Sequence, residues 1–167
     1  MILLGKGNVD MDISEKIAYR NEIRWKLKNI ENRLISCAKV QEGKTPVECP
    51  NMIIKELEVV LDEYSEVLKT INKIKSIDIS KDGNELSSVL AEREVISVEK
   101  DIMENFLKAL NVNYDRYNSS DTKYINTVDA SVIEKRVQEL NKKYQEIETK
   151  FKTTRWNVDF KNSKRLV

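Results

Sequence analysis

Histidine does not occur anywhere in the 167 residues. Its absence removes the commonest general base at neutral pH and the commonest metal ligand together. Cysteine is nearly as scarce. Cys37 and Cys49 stand apart, without the paired spacing of a zinc site. Nothing marks the chain as secreted, so the thiols are expected to stay reduced. With four glycines and two prolines there is little material for turns, which suits long helices joined by short connections. No apolar run approaches the ~20 residues of a membrane span, and Met1-Ile2-Leu3-Leu4-Gly5 is too short for a signal-peptide apolar region. Neither sign of charge dominates: 29 basic against 28 acidic residues leave a formal +1. That balance does not ask for a nucleic acid polymer or an anionic membrane as partner. The expected setting is cytoplasmic.

What the chain does have is heptad-like apolar spacing. The first ten residues lack it and read as a mobile leader. From Met11 to Phe160 the pattern is that of one helical-bundle domain, with a polar C-terminal tail from 161 to 167. The first helix is expected from about Asp12 to Val40, with Ile23, Leu27, Ile30, Leu34 and Cys37 stepping four, three, four, three. Gly43 and Pro46 are expected to end it. The second begins near Pro50 and repeats Ile53, Leu57, Val60, Tyr64, Val67, Ile71 and Ile74. Ile54, Leu61 and Leu68 form a second row beside the first, so this helix faces more than one neighbour.

The third helix starts near Asn84 and carries Val89, Ile96, Met103 and Leu110, flanked by Val95, Ile102 and Ala109. Arg93 lies at the margin of that face, as a snorkelling side chain or as half of an ion pair that fixes register. The fourth opens after Asp129 and repeats Ile133, Val137, Leu140, Tyr144, Ile147 and Phe151. Its cap is Thr127, Asp129 or the Ser131–Glu134 capping box. Trp156, Val158 and Phe160 alternate with polar residues and show no helical period. The segment Lys16–Lys39 leans basic and Glu85–Glu104 leans acidic.

Four rods of about 27 residues, each about 40 Å long, predict an all-α antiparallel four-helix bundle. Exchange of hairpins between chains is the alternative. The second row on helix 2 and the double stripe on helix 3 predict a homo-oligomer.

Alternating polarity places the loop after helix 1 and the loop before helix 4 at one end. The first brings Lys39, Gln41, Glu42, Lys44 and Thr45. The second brings Tyr114, Arg116, Tyr117, Ser119, Ser120, Lys123 and Tyr124. Two helix N-termini, cationic groups and hydroxyls together suit a phosphate or carboxylate, and tyrosines can stack on a planar ring. The candidate binding residues are therefore Lys39, Gln41, Glu42, Tyr114, Arg116, Tyr117, Ser119, Ser120 and Lys123, and the candidate ligand is a small anion such as a nucleotide. No glycine-rich phosphate fingerprint accompanies them. Catalysis is not expected. Ser119 and Ser120 have no histidine to activate them, and Asp115, Asp121 and Asp129 fit no calcium-loop spacing. Tyr64 and Tyr144 read as core. Neither metal nor cofactor is expected.

Several strings are similar to one known family. They are Ala38-Lys39-Val40-Gln41-Glu42-Gly43 with Pro46, Asp115-Arg116-Tyr117, Thr127-Val128-Asp129, and Trp156 followed by Asp159. In this order they resemble small bacterial proteins often labelled septicolysin. The resemblance runs from about Met11 to Phe160. The family usually has Asn before the tryptophan, where this chain has Arg155, and residues 1–10 are extra. The resemblance implies an α-helical protein without established catalytic residues. Its label implies a pore-forming lysin. Three functions follow as expectations: a non-catalytic protein that sequesters or senses a small anion, an assembly scaffold, and a lysin.

Overall fold

A computed structural model describes residues 6–75, 81–112 and 123–164 of the chain. Four helices carry the fold: α1 (Lys6–Ser36), α2 (Pro50–Lys75), α3 (Lys81–Asn111) and α4 (Ala130–Lys164). Two three-residue strands, β1 (Lys39–Gln41) and β2 (Tyr124–Asn126), lie in the connections after α1 and before α4. α1 packs on α2, α2 on α3 and α3 on α4, and α1 also reaches α3. Successive helices run antiparallel. Tyr64 of α2 meets Glu94 of α3, and further along α2 Asn72 meets Ser87, nearer the start of α3.

The core follows the apolar rows. Ile23, Leu27, Ile30 and Leu34 of α1 are buried against Ile53, Leu57, Tyr64 and Ile71 of α2 and against Met103, Phe106 and Leu110 of α3. Each such aliphatic or Phe side chain contributes about 1.5–3 kcal/mol relative to exposure. Ile54, Leu61 and Leu68 are buried in the same core. The second row of α2, one of the two grounds for expecting an oligomer, is thus covered within the chain by a second neighbouring helix.

α4 joins this core through Ile133, Val137 and Leu140. Further along it, Ile147 and Val158 are also buried, outside that cluster. Tyr144 and Phe151 stay half-buried beneath cations: Lys100 lies 5.2 Å from the Tyr144 ring centre and Arg93 5.2 Å from that of Phe151. Arg93 also pairs with Glu148 of α4, not with its neighbour Glu92. It is an interhelical tie at the margin of the core.

Three boundaries differ from the sequence expectation. α1 begins at Lys6 and takes in residues 6–10 of the expected leader, because extending an existing helix costs far less than starting one. It ends at Ser36, before Gly43 and Pro46. Cys37 N–H donates to the Arg33 and Leu34 carbonyls, and β1 begins two residues later. Gly43 instead serves a turn after β1: Lys44 N–H donates to the Gln41 carbonyl, and Gly43 has φ +84°. That left-handed backbone is disfavoured for residues with a Cβ. The third difference is the C-terminal stretch, where α4 continues to Lys164. Thr154 and Val158 face inward one turn apart, while Trp156 and Phe160 are exposed. The apparent alternation of apolar residues there is two faces of one helix.

Candidate functional site

The end of the bundle where α1 stops and α4 starts is built around the β1–β2 ladder. Lys39 stands opposite Asn126, Val40 opposite Ile125 and Gln41 opposite Tyr124, antiparallel. Beyond the ladder, Glu42 N–H donates to the Lys123 carbonyl at 2.9 Å. The β-branched residues at the centre, Val40 and Ile125, suit this extended pairing.

Thr127 fastens the ladder to the end of α1. Its N–H donates to the Ala38 carbonyl at 3.0 Å, and its hydroxyl lies 2.6 Å from the Cys37 carbonyl and 3.1 Å from that of Ala38. Both carbonyls lie just past Ser36, so Thr127 ties the turn that ends α1 to the approach to α4. Asp129 caps α4: its carboxylate accepts from Ser131 N–H at 2.9 Å, which holds the Asp129 carboxyl below its ordinary range. Thr127 therefore fastens α1, and Asp129 caps α4 without the Ser131–Glu134 box.

A cavity of about 640 Å³ opens beside the ladder, between the last turns of α1, β1 and the segment leading to α2. Lys39, Gln41, Lys44 and Tyr124 line it, together with Asn32 and Ser36 of α1. Lys39 and Lys44 form no ion pair among the described residues. Arg33, also on the wall, is fully engaged. Its Nε and Nη2 hold both oxygens of Glu48 at 2.9 and 2.8 Å, and its Nη1 lies 2.9 Å from both oxygens of Glu56. The pairing raises Arg33 further above its ordinary range and holds Glu48 below the usual carboxylate range.

Of the residues expected from sequence, Lys39 and Gln41 line the cavity. The exposed side chains of Glu42 and Lys123 do not, although their backbones bond each other just beyond the ladder. Tyr114, Arg116, Tyr117, Ser119 and Ser120 lie outside the described residues. So do Asp115 and Asp121. Sequence reasoning passed over Asn29, Asn32, Arg33 and Ser36, which share the wall. Their spacing of three, one and three puts them on one helical face, a polar stripe beside the apolar one. A second groove of about 480 Å³, between α2, α3 and α4, sets Asp62, Glu92, Glu99 and Glu146 against Lys143 and Lys150. Its acidic excess suits no anion.

A model built from related sequences matches residues 20–160, a span that includes α2, α3, both strands and most of α1 and α4. The chain belongs to a family of unknown function, DUF6847. It is also similar to a functionally unknown conserved protein from Corynebacterium diphtheriae, known from a crystal structure. The identity is 29% over 87% of this chain and 94% of that one, with a TM-score of 0.41. No curated protein matches. Neither likeness carries the septicolysin label.

Proposed function

We propose that this DUF6847 protein is a non-catalytic binding protein that holds a small anionic ligand, such as a nucleotide, in the cavity beside the β1–β2 ladder. The observation that carries the reading is the convergence of Lys39, Lys44, Gln41 and Tyr124 on one cavity of about 640 Å³. That volume lies in the range of small-molecule sites. Lys39 and Lys44 supply positive charge, Gln41 and Asn32 supply donors and acceptors, and Tyr124 completes the wall. Holding the ligand out of solution, or reporting its level, requires no reactive group.

Thermal melting with a panel of nucleotides and inorganic phosphate tests the reading. A ligand at about 100 times its Kd adds about 2.7 kcal/mol, a rise of about 5–10 °C for a chain of this size. The double variant Lys39→Ala, Lys44→Ala should abolish the rise. A wild-type midpoint that no member of the panel moves rejects this function.

The second reading is an assembly scaffold. What supports it is the exposure of Trp25 and Trp156, each 71% accessible, with Phe160 one turn beyond Trp156. Ligand-dependent melting separates the two readings: a pure scaffold gives no shift with any member of the panel, and one that self-associates has a mass well above 19.5 kDa at micromolar protein.

A further inference from the structure

Arg33 already holds an anion of the kind the cavity is suited to bind, and that anion belongs to the chain itself. The edge of the guanidinium formed by Nε and Nη2 grips both oxygens of Glu48, the geometry in which arginine takes a free carboxylate or a phosphate. Nη1 is held separately by Glu56. Both Arg33 and Glu48 line the 640 Å³ cavity, so the engaged edge is at the site.

The two carboxylates differ in how they are held. Glu56 projects from α2, a regular helix fixed by Ile53 and Leu57 in the core. Glu48 precedes that helix, on a segment whose neighbour Val47 is 99% exposed. At Gly43, near the start of that segment, an added Cβ would meet nothing within 4 Å. One guanidinium between two carboxylates leaves a surplus negative charge. Removing Glu48 leaves Arg33 and Glu56 as a neutral pair with one donor edge open, and an incoming anion restores the original charge count.

We propose that Glu48 is an internal stand-in for the ligand's anionic group, and that the ligand enters by displacing it from Arg33. The inference rests on the binding reading above and adds to it the contacted residue and the ligand chemistry. The ligand carries a group with two acceptor oxygens on one edge, a carboxylate or a phosphate. Lys39 and Lys44 attract that group, and Arg33 fixes its orientation. Release of Glu48 frees residues 44–48, so the same event couples occupancy to the shape of this end of the bundle.

The test uses the full chain, sodium acetate and inorganic phosphate, with sodium chloride at matched ionic strength as control. The Arg33 Nε–H signal, assigned by its loss in Arg33→Lys, is followed by NMR. In Glu48→Ala it should shift saturably with acetate, phosphate or both, and whichever saturates at lower concentration identifies the preferred group. In wild type the midpoint should lie at least about tenfold higher, because the anion competes with Glu48. A fluorophore on the exposed Cys49 gives a second readout in wild type. Its emission should change with the same midpoint as the Arg33 signal and stay flat in Glu48→Ala. Equal midpoints in the two proteins, or no saturable shift in Glu48→Ala, overturn the displacement. If that happens while a nucleotide melting shift sensitive to Lys39 and Lys44 persists, the cavity reading stands without it. If neither is seen, both fall.

Discussion

Gln41 and Tyr124 face each other across an antiparallel ladder although two helices separate them in the chain. Each belongs to a strand of three residues, too short to persist alone. The pairing exists because α1 and α4 deliver the two segments to the same end, and because Thr127 binds the close of α1 to the approach to α4.

Thr127 should therefore matter more than its half-exposed position suggests. Thr127→Val keeps the shape and removes the hydroxyl from the Cys37 and Ala38 carbonyls. The expected loss is about 1–2 kcal/mol in urea unfolding. Hydrogen exchange at Val40 and Glu42, whose amides face β2, should accelerate before the helices respond, and Thr127→Ser should restore much of the protection. Unchanged exchange at those amides would show that the ladder holds without the clamp.

Arg136 joins three helices. From α4 it reaches Glu58 of α2 at 2.9 Å and Glu99 of α3 at 2.7 Å. Burial by itself lowers Arg136, but the hydrogen bonds to Glu99 and Glu58 outweigh it and raise the guanidinium. Arg136→Met leaves Glu99 without its cation at a site where the carboxylate is 18% exposed. A cost of about 2–4 kcal/mol is expected. Adding Glu99→Gln should recover part of it, so the double variant is less unstable than the sum of the singles. Strict additivity would rule out the coupling.

Glu31 sets an acid limit on stability. It is buried on α1 and accepts from Lys28 at 2.6 Å and from Asn105 of α3 at 2.7 Å. Burial pushes its carboxyl up, yet the bonds from Lys28 and Asn105 prevail and the net shift is downward. A carboxyl lowered in the folded state stabilises above its unfolded pKa and loses that contribution as pH falls through the folded value. Wild type should thus lose stability on acidification below about pH 4.5, the ordinary glutamate range. Glu31→Gln should be less stable at pH 7 and have a flatter profile below about pH 4.5. Parallel profiles for the two proteins would exclude Glu31 as the source.

Several features of this architecture are legible in the sequence. The rows Ile23–Leu34, Ile53–Ile71 and Ile133–Ile147 point to amphipathic helices because a side chain's face follows from its position in a 3.6-residue turn. The alternation of helix direction is favoured by rods of similar length joined by connections shorter than the rods. That was enough to place Lys39 and Gln41 near the loop containing Lys123 and Tyr124. The clamp by Thr127, the engagement of Arg33 by Glu48 and Glu56, and the side of the ladder on which the cavity opens were not legible. Nor was the continuation of α4 past Trp156, where the apolar residues look alternate until Thr154 and Val158 are seen to face inward.

Periodicity and composition, which act over a few residues, already specify long helices with apolar seams and no histidine chemistry. Which polar groups meet is a property of the packed fold: β1 with β2, Thr127 with the end of α1, Arg33 with its two carboxylates. Those contacts join residues distant in sequence, and their pairing depends on ångström-scale distances that no local spacing encodes.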